Sequence, residues 1–487
     1  MPESSPVGLS PVVAAVPGAE LRGDATVLVA DAAYDSREVA PQSLFFCVPG
    51  DLVDGHGFAG DAVSGGAAAL VVERWLELEA PQIRVPSVRE AMGPMSSVVF
   101  GHPARELRIV GVTGTDGKTT TTYLLEAVFR AAGMRPGVVG TTGGRIDGEH
   151  VDLQRTTPEA PDLHRLFARM RRASVVAVAM EVSSHGLAQH RFGGARCEVA
   201  IFTNLSRDHL DYHGSMEDYF AAKARLFTPS GTVMGVVNAD DTWGRRLVAE
   251  ATVPVTTFGL DAEADLRGSD VELTSHGLTF RVDGGQVRSN LRGRFNAENC
   301  LATLAAAREL GVDTETSRRG IEAVTSVPGR MEAIDAGQDF LVMVDYAHTP
   351  DSIRGVLRGA RPLTAGRIIV VFGCGGDRDR EKRSLMGHAA TSLADLSIIT
   401  SDNPRSEDPS AIIEAILPGA TSGGGEYVVE PDRRAAIRLA LSAAEPGDVV
   451  VVAGRGHEAE QELATTSVPF DDRAVVREEL LALRESR

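Results

Sequence analysis

The chain has almost no lysine. Of its 49 basic residues only three are lysine, Lys118, Lys223 and Lys382, which leaves 46 arginines. A sequence that uses arginine wherever any positive charge will serve marks each surviving lysine as a candidate for work a guanidinium cannot do. Cysteine is scarce as well. The four, Cys47, Cys197, Cys300 and Cys374, are far apart and form no metal-type pair, which fits a reducing cytoplasm. No apolar run approaches the roughly 20 residues of a membrane span. The opening Met1-Pro2-Glu3-Ser4 lacks the basic start and apolar core of a secretory signal. Positive charge is in deficit overall: a net charge of −18 makes a nucleic-acid backbone an unsuitable partner. What is present is length and apolar content, 487 residues at 43% hydrophobic, enough for about three domains with their own cores.

The chain is organised around residues 111–122, Gly-Val-Thr-Gly-Thr-Asp-Gly-Lys-Thr-Thr-Thr-Thr. Arg108-Ile109-Val110 leads in as a strand, and Tyr123 to Ala132 follows as an amphipathic helix closed by Gly133. Strand, glycine-rich turn, Lys-Thr and helix make a phosphate cradle, because backbone amides and the helix N-terminus all present positive charge to an anion. Lys118 can reach β- and γ-phosphates and the Thr119 hydroxyl can ligate Mg²⁺. The strict spacing would put a glycine where Val112 stands, so the loop is a variant with glycines at 111, 114 and 117.

Three units are expected. Residues 1–103 carry short β-like stretches, with polar turns at Asp35-Ser36-Arg37 and residues 50–56, and the break Gly101-His102-Pro103 closes them. In residues 104–332, apolar runs end repeatedly in polar clusters: residues 109–112 in the phosphate loop, 175–180 in Glu181-Val182-Ser183-Ser184-His185, 199–202 in residues 203–209, and 233–237 in Asn238-Ala239-Asp240-Asp241. Continuous apolar strands alternating with helices indicate a mainly parallel sheet covered on both faces, whose ligands bind beyond the strands' carboxyl ends. Glu181 is placed there as a metal ligand, and His209 as a second ligand, an acid–base group or a structural histidine. Lys223 lies on a helix ending before Pro229 and is either a solvated lysine or one of the special three. Asn296 and Asn299 share a helix face, suited to a base or ribose, with N-cap chemistry the alternative for Asn296. Residues 333–487 repeat the pattern, with clusters at Asp345-Tyr346-Ala347-His348, residues 373–379, Ser401-Asp402-Asn403-Pro404-Arg405 and residues 453–458. This reads as a second, Rossmann-like open α/β sheet with no second Lys-Thr phosphate loop. It is expected to carry a second substrate.

Together these clusters resemble the Mur ligase family, ATP-dependent amide-forming enzymes of peptidoglycan synthesis. The resemblance covers nearly the whole chain and rests on residues 114–120, Thr156-Thr157-Pro158-Glu159, residues 181–191, His209-Leu210-Asp211-Tyr212-His213-Gly214, residues 293–299, 345–350 and 402–405. Two departures are visible: Asp116 where the family often has Asn, and Arg455 where Gly-Lys-Gly-His-Glu is common. The resemblance implies a small UDP-sugar-binding α/β unit, a central ATP-binding unit and a C-terminal amino-acid-binding unit. It implies an acyl phosphate formed from ATP and attacked by an amine. By the same resemblance Gly114, Thr115, Asp116, Gly117, Lys118, Thr119, Thr120, Asn296, Arg330, Asp345 and His348 meet ATP. Thr119 and Glu181 hold one Mg²⁺, and His209 and Lys223, as a CO₂-derived carbamate, help hold a second. Ser36, Thr156, Thr157, Ser184, Gln189 and Arg191 meet a UDP-MurNAc-dipeptide, while Arg383, Asp402, Asn403, Arg405, Gly454 and Glu458 meet meso-diaminopimelate. A monomer is expected. The competing readings are a lysine-adding or folylpolyglutamate-type relative, or a nucleotide switch that forms no bond.

Overall fold

The computed structural model describes residues 5–50, 53–274 and 276–485. Residues 1–4, and residues 51 and 52 of the 50–56 turn, lie outside the described residues. Three sheets carry the chain. A five-stranded sheet runs in the order Glu20–Arg22, Gln82–Arg84, Ala67–Val72, Ser43–Phe46, Asp31–Ala33. A six-stranded sheet runs Glu332–Ala333, Leu341–Asp345, Val449–Ala453, Ile368–Phe372, Leu396–Ile399, Glu426–Val429 and is parallel except at its first strand. Between them in sequence lies an eleven-stranded sheet centred on Arg108–Thr113, with Ala177–Glu181 on one side and Cys197–Phe202 on the other.

The central strands are parallel because they are apolar on both faces. Val110, Val112, Ala177 and Ile201 pack under the helices Lys118–Ala131 and Phe295–Glu309. Ile109, Val178, Met180 and Phe202 face Ala160–Arg172 and the Tyr219–Phe227 stretch on the other side. The carboxyl ends of four neighbouring strands therefore meet on one edge, where Thr113, Glu181, Phe202 and Asn238 are the last residues. This is where ligands of such sheets bind.

Two features differ from the sequence reading. The helix after the phosphate loop begins at Lys118, five residues earlier than Tyr123. Four successive threonines are poor helix formers. Here all four are buried, and the Thr122 hydroxyl donates back to the Thr119 carbonyl at 2.8 Å, so tertiary packing overrides propensity. The large sheet also carries antiparallel hairpins at both edges, Gly143–Ile146 with Glu149–Val151, and Gly277–Val282 with Gly285–Ser289. Each turns on an Asp-Gly pair with positive φ at both positions, 52° and 93° at Asp147-Gly148, 50° and 74° at Asp283-Gly284. Asp-Gly is the pair a two-residue hairpin turn favours.

The three sheets are joined by polar contacts. Arg165 reaches Asp31 at 3.0 Å and the Ala32 carbonyl at 2.6 Å, and Arg89 pairs with Glu159 at 2.6 Å. Arg207 bridges to Asp379 at 3.1 Å and Glu381 at 2.7 Å. Within the C-terminal sheet, buried Arg433 pairs with buried Asp472 at 2.6 Å and also donates to the carbonyls of Ala453, the last residue of its strand, and of Ser401, two residues past the strand Leu396–Ile399. Removing the carboxylate strands a buried guanidinium, a loss of about 3–5 kcal/mol. Asp472→Ala should lower unfolding stability in urea by about that amount, and an unchanged midpoint would show that Arg433 is paired by something else.

Candidate active site

The phosphate loop is built by its glycines. Gly114 has φ 148° and Gly117 φ 86°, and a Cβ on either would collide with Thr203 or Asn299. The tightness is functional in form: it folds the loop so that the Lys118 Nζ donates to the carbonyls of Thr115 (2.7 Å) and Gly114 (3.0 Å). An ammonium has three protons, so one remains for a ligand. The second lysine meets the first here. Lys223, 1% exposed at the end of the helix Met216–Ala224, donates to the same Gly114 carbonyl at 2.8 Å and lies over the Tyr219 ring. Burial, then the nearby Lys118 charge, pushes the Lys223 amine well below its usual basicity. The solvated-lysine alternative is thereby removed.

A cavity of about 350 Å³ opens in front of this pair. Thr115 to Thr120 floor it, together with Glu181, Thr156, Ser184, His209, Lys223 and Asn299 from the central unit, and Arg330, Asp345 and His348 from the next. Glu181 is 1% exposed and accepts from the Thr141 amide (2.9 Å) and hydroxyl (3.0 Å). His209 sits in the left-handed region at φ 54°, and burial lowers its imidazole to about 3, leaving a neutral ring with a free lone pair. The Asp208 carboxylate lies 3.3 Å from the His209 ring and 3.9 Å from that of His348. Burial raises the Asp116 carboxyl, with Lys118 opposing it. Asp345 accepts the amides of Met331 and Ala347, both at 2.7 Å, and burial still holds its carboxyl up at about 6.

Arg330 ties this unit to the loop: it donates to the Thr119 hydroxyl at 3.0 Å and stacks over Tyr346. Asn299 lines the cavity, whereas Asn296 stands behind it, accepting from the Asn299 amide at 2.8 Å and donating to the Arg292 carbonyl. No group of three or more His, Cys, Asp or Glu among the described residues is close enough to form a metal site alone. The donors that do converge, a hydroxyl at Thr119, a carboxylate at Glu181 and a neutral imidazole at His209, suit a cation that completes its shell with phosphate oxygens and water, as Mg²⁺ does.

Beside the cavity, Thr157 donates to the Glu181 carbonyl at 3.0 Å, and Arg191 pairs with Glu159 (3.0 Å) and Gln189 (2.5 Å). Thr156 meets Thr141 at 3.0 Å. Ser36 opens a short helical turn, and its neighbours Tyr34 and Glu38 line a second cavity of about 230 Å³ shared with Arg155, Glu159 and Arg165. In the C-terminal unit the Asn403 amide donates to Glu458 at 2.8 Å, Gly454 at φ 118° packs its backbone against Asp402, and Tyr346 also meets Glu458. Arg383 is buried and taken by Glu407 at 2.8 Å, and Arg405, at φ 51°, is taken by Glu462 at 2.6 Å and the Gly376 carbonyl. Both arginines expected to meet a carboxylate already hold one from the chain itself.

Several cavity residues escape a reading of the sequence. Asn204 and Asp208 line the cavity from within residues 203–209, where spacing alone does not distinguish them from their neighbours. Thr141 directly follows Pro136–Gly140, a fifth strand-end cluster hidden by the strand's shortness. Glu298, whose carboxyl burial raises to about 7, also lines the cavity, between Asn296 and Asn299 in the chain, and carries no sequence signal of its own.

This geometry has close relatives. Residues 112–307 match the Mur ligase middle domain, 329–456 the Mur ligase glutamate ligase domain, and 32–98 the Mur ligase family catalytic domain. The chain belongs to the Mur ligase family. It is 45% identical to the UDP-N-acetylmuramoyl-L-alanyl-D-glutamate–2,6-diaminopimelate ligase of Streptomyces avermitilis, covering 96% of both chains. It is 44% identical to that of Geobacillus thermodenitrificans, covering 93% and 94%. A solved ligase of the same name superposes with a TM-score of 0.71 at 33% identity, covering 99% of this chain and 100% of that one. The MurF ligase of Thermotoga maritima, solved with ADP, shares the fold at TM-score 0.64 and 20% identity, covering 94% and 97%.

Proposed function

We infer that this chain is an ATP-dependent ligase that joins meso-diaminopimelate to UDP-MurNAc-L-Ala-D-Glu in peptidoglycan precursor synthesis. The observation that carries the reading is the single cavity in which the phosphate loop, Glu181 and Lys223 of the central unit face Arg330, Asp345 and His348 of the next. We place the working units at 1–103, 104–332 and 333–487, acting as a cytoplasmic monomer. One chain completes the cavity unaided, the four cysteines are all free, and no described helix is long and apolar enough to cross a membrane.

The steps follow from the side chains. Gly114 to Thr120 and Lys118 cradle the ATP phosphates, with Arg330, Asp345 and His348 around the rest of the nucleotide and Asn296 behind, acting through its hydrogen bond to Asn299. The γ-phosphoryl passes in line to the dipeptide's terminal carboxylate: a P–O bond to the carboxylate forms as the bond to ADP breaks. Lys118 holds the charge that spreads over the phosphoryl oxygens and keeps its own proton. The amine of diaminopimelate then forms the C–N bond, phosphate leaves, and the amine's proton goes to solvent. Thr119, Glu181, His209 and the modified Lys223 would hold Mg²⁺, which when bound neutralises phosphate charge. Thr156, Thr157, Ser184, Gln189 and Arg191 sit where the peptide arm would lie, and Ser36 and the second cavity lie toward the nucleotide-sugar.

Lys223 explains its own retention. A neutral buried amine takes up CO₂ with loss of one proton and becomes an anionic oxygen ligand, which arginine cannot do. Lys223→Arg should therefore lose at least about 100-fold in kcat, the scale of one lost electrostatic contact. A small carboxylic acid added to Lys223→Ala should restore part of it. Wild-type turnover in Lys223→Arg would remove the carbamate.

Diaminopimelate differs from lysine by one distal carboxylate, so selection needs a fixed cation. Arg405 supplies a planar fork aimed by Pro404, with Asp402, Asn403, Gly454 and Glu458 around the amino-acid end and Arg383 behind. Because Glu462 already holds its Nε, the incoming carboxylate shares the guanidinium or displaces that partner. Losing one member of a desolvated pair costs about 2–5 kcal/mol. Arg405→Ala should raise the KM for diaminopimelate roughly 30-fold or more, leave that for ATP in place and narrow discrimination against L-lysine. Ligation assayed with both amino acids side by side decides the reading: amide formation with L-lysine in preference to diaminopimelate contradicts it, and an unchanged diaminopimelate KM removes Arg405 from the pocket.

A further inference from the structure

We propose that Glu298 determines which nucleotide base the site accepts: one oxygen of its carboxyl, Oε1, takes a hydrogen bond from the exocyclic amine of adenine. The inference rests on the ATP-dependent reading of the cavity and adds the group that selects the base. Strand order separates the two ends of the cavity. On one side of the phosphate-loop strand Arg108–Thr113 lie Ala177–Glu181 and then Pro136–Gly140, which bring Glu181 and Thr141. On the other side Cys197–Phe202, Thr232–Asn238 and Val255–Gly259 follow in turn, and they bring Asn238 and Phe258. Thr156 and Ser184, assigned to the acceptor peptide, line the cavity on the Glu181 side. The γ-phosphate therefore faces Glu181, and the base extends the opposite way. Asn238 and its paired Phe258 stand two and three strands from the phosphate loop, about 10 and 14 Å at about 4.8 Å per strand. That end suits a flat ring. Phe258 and Phe295 line it from the central unit, and Phe295 packs against the cluster that holds Val356, a cavity residue of the facing helix Pro350–Ala360.

Glu298 lies three residues after Phe295 on the same helix face and lines the same cavity. It is the polar group of this end left without a firm partner. The Asn238 amide is committed to the Thr203 carbonyl at 2.8 Å and reaches Glu298 Oε2 only at 3.4 Å. Among the described residues Oε1 has no hydrogen bond, and the carboxyl forms no ion pair. The charged groups around it are taken. Arg294, one turn earlier, is held by Asp261 at 2.6 Å. Asp240 accepts the amides of Leu260, Asp261 and Ala262. Asp351, on the facing helix, pairs with Arg354 at 2.7 Å. Burial first, and the Asp240 charge next, raise the Glu298 carboxyl to about 7, against Arg294 and Asn238 and with Asp261 adding to the rise. Because Oε2 accepts from Asn238, the proton of the neutral form sits on Oε1. An ionised Oε1 accepts from an amine and repels an oxo group in its place. A protonated Oε1 donates to that oxo group. The preference for an aminopurine over an oxopurine is therefore strongest above the carboxyl's value and narrows below it.

Calorimetric binding of ADP and of inosine diphosphate, which carries an oxo group in place of the amine, to the full chain with Mg²⁺ tests this. The two are compared at about pH 6 and about pH 8, either side of the carboxyl. At the higher pH the wild type should favour ADP by about 10-fold or more, the worth of one hydrogen bond to a charged group. At the lower pH that ratio should shrink. Glu298→Gln never ionises and can turn either its carbonyl or its amide to the base, so it should lose most of the preference and all of its pH dependence. If Glu298→Gln does not fold, Glu298→Ala is judged by the same ratio. Variants that weaken both nucleotides equally would assign the carboxyl to the ribose or to the fold and overturn the proposal. So would a wild type whose ratio is close to one or does not move with pH, and a ratio unchanged in the variants. Binding needs no amide formation, so failure of the ligase reading is seen separately, as a wild type that prefers ADP yet joins no amino acid.

Discussion

Two lysines donate to one carbonyl, that of Gly114, at the wall of the phosphate cavity. The rest of the site follows from that constraint. Burial first, and the charge of Lys118 beside it next, lower the basicity of Lys223, the more deeply buried of the two, so that it becomes an amine able to react. Burial lowers the basicity of Lys118 as well, and Glu181, Asp116 and Asp208, each at the end of a parallel strand or in the loop that follows one, favour its charged form. Only glycine at 114 permits the loop to fold this tightly, because Thr203 occupies the place of a side chain. The sheet supplies the frame. Its central strands are apolar on both faces, are covered by helices, and end at their carboxyl edge in polar clusters.

The site belongs to more than one unit. Arg330 reaches from the join with the C-terminal sheet to the hydroxyl of Thr119, and Met331 beside it is held in a left-handed conformation at φ 43° by the Asp345 carboxylate accepting its amide. Arg207 crosses in the opposite direction to Asp379 and Glu381. These bridges bring cations and carboxylates from two sheets around one small volume. A reaction that consumes a nucleotide on one side and an amino acid on the other requires this arrangement.

Much of this is legible in the residues because the underlying rules are local. The phosphate loop is a strand, a glycine-rich turn and a helix in immediate succession. Glu181 and His209 are found by the rule that apolar strands of a parallel sheet end in functional clusters. What stays hidden is what depends on distant partners. Asp208 and Thr141 acquire meaning only from the rings and carboxylates that fold against them. The pairing of Arg383 with Glu407 and of Arg405 with Glu462 joins residues far apart in the chain, and no spacing announces it. The early start of the helix at Lys118 runs against the propensity of four threonines and is decided by their burial. The two Asp-Gly hairpins, by contrast, carried a local turn signal that a search for parallel strands passes over.

The central claim is that this cavity transfers the γ-phosphoryl of ATP to a substrate carboxylate before any amine attacks. ATP labelled with oxygen-18 at the bridge between its β- and γ-phosphorus tests it most directly. Incubated with the protein and UDP-MurNAc-L-Ala-D-Glu but no amino acid, the label should scramble into the non-bridging β-oxygens, as reversible formation of an acyl phosphate and ADP requires. Without the dipeptide it should stay at the bridge. ATP that is hydrolysed at the same rate with or without the dipeptide, and never scrambles its label, would contradict the account.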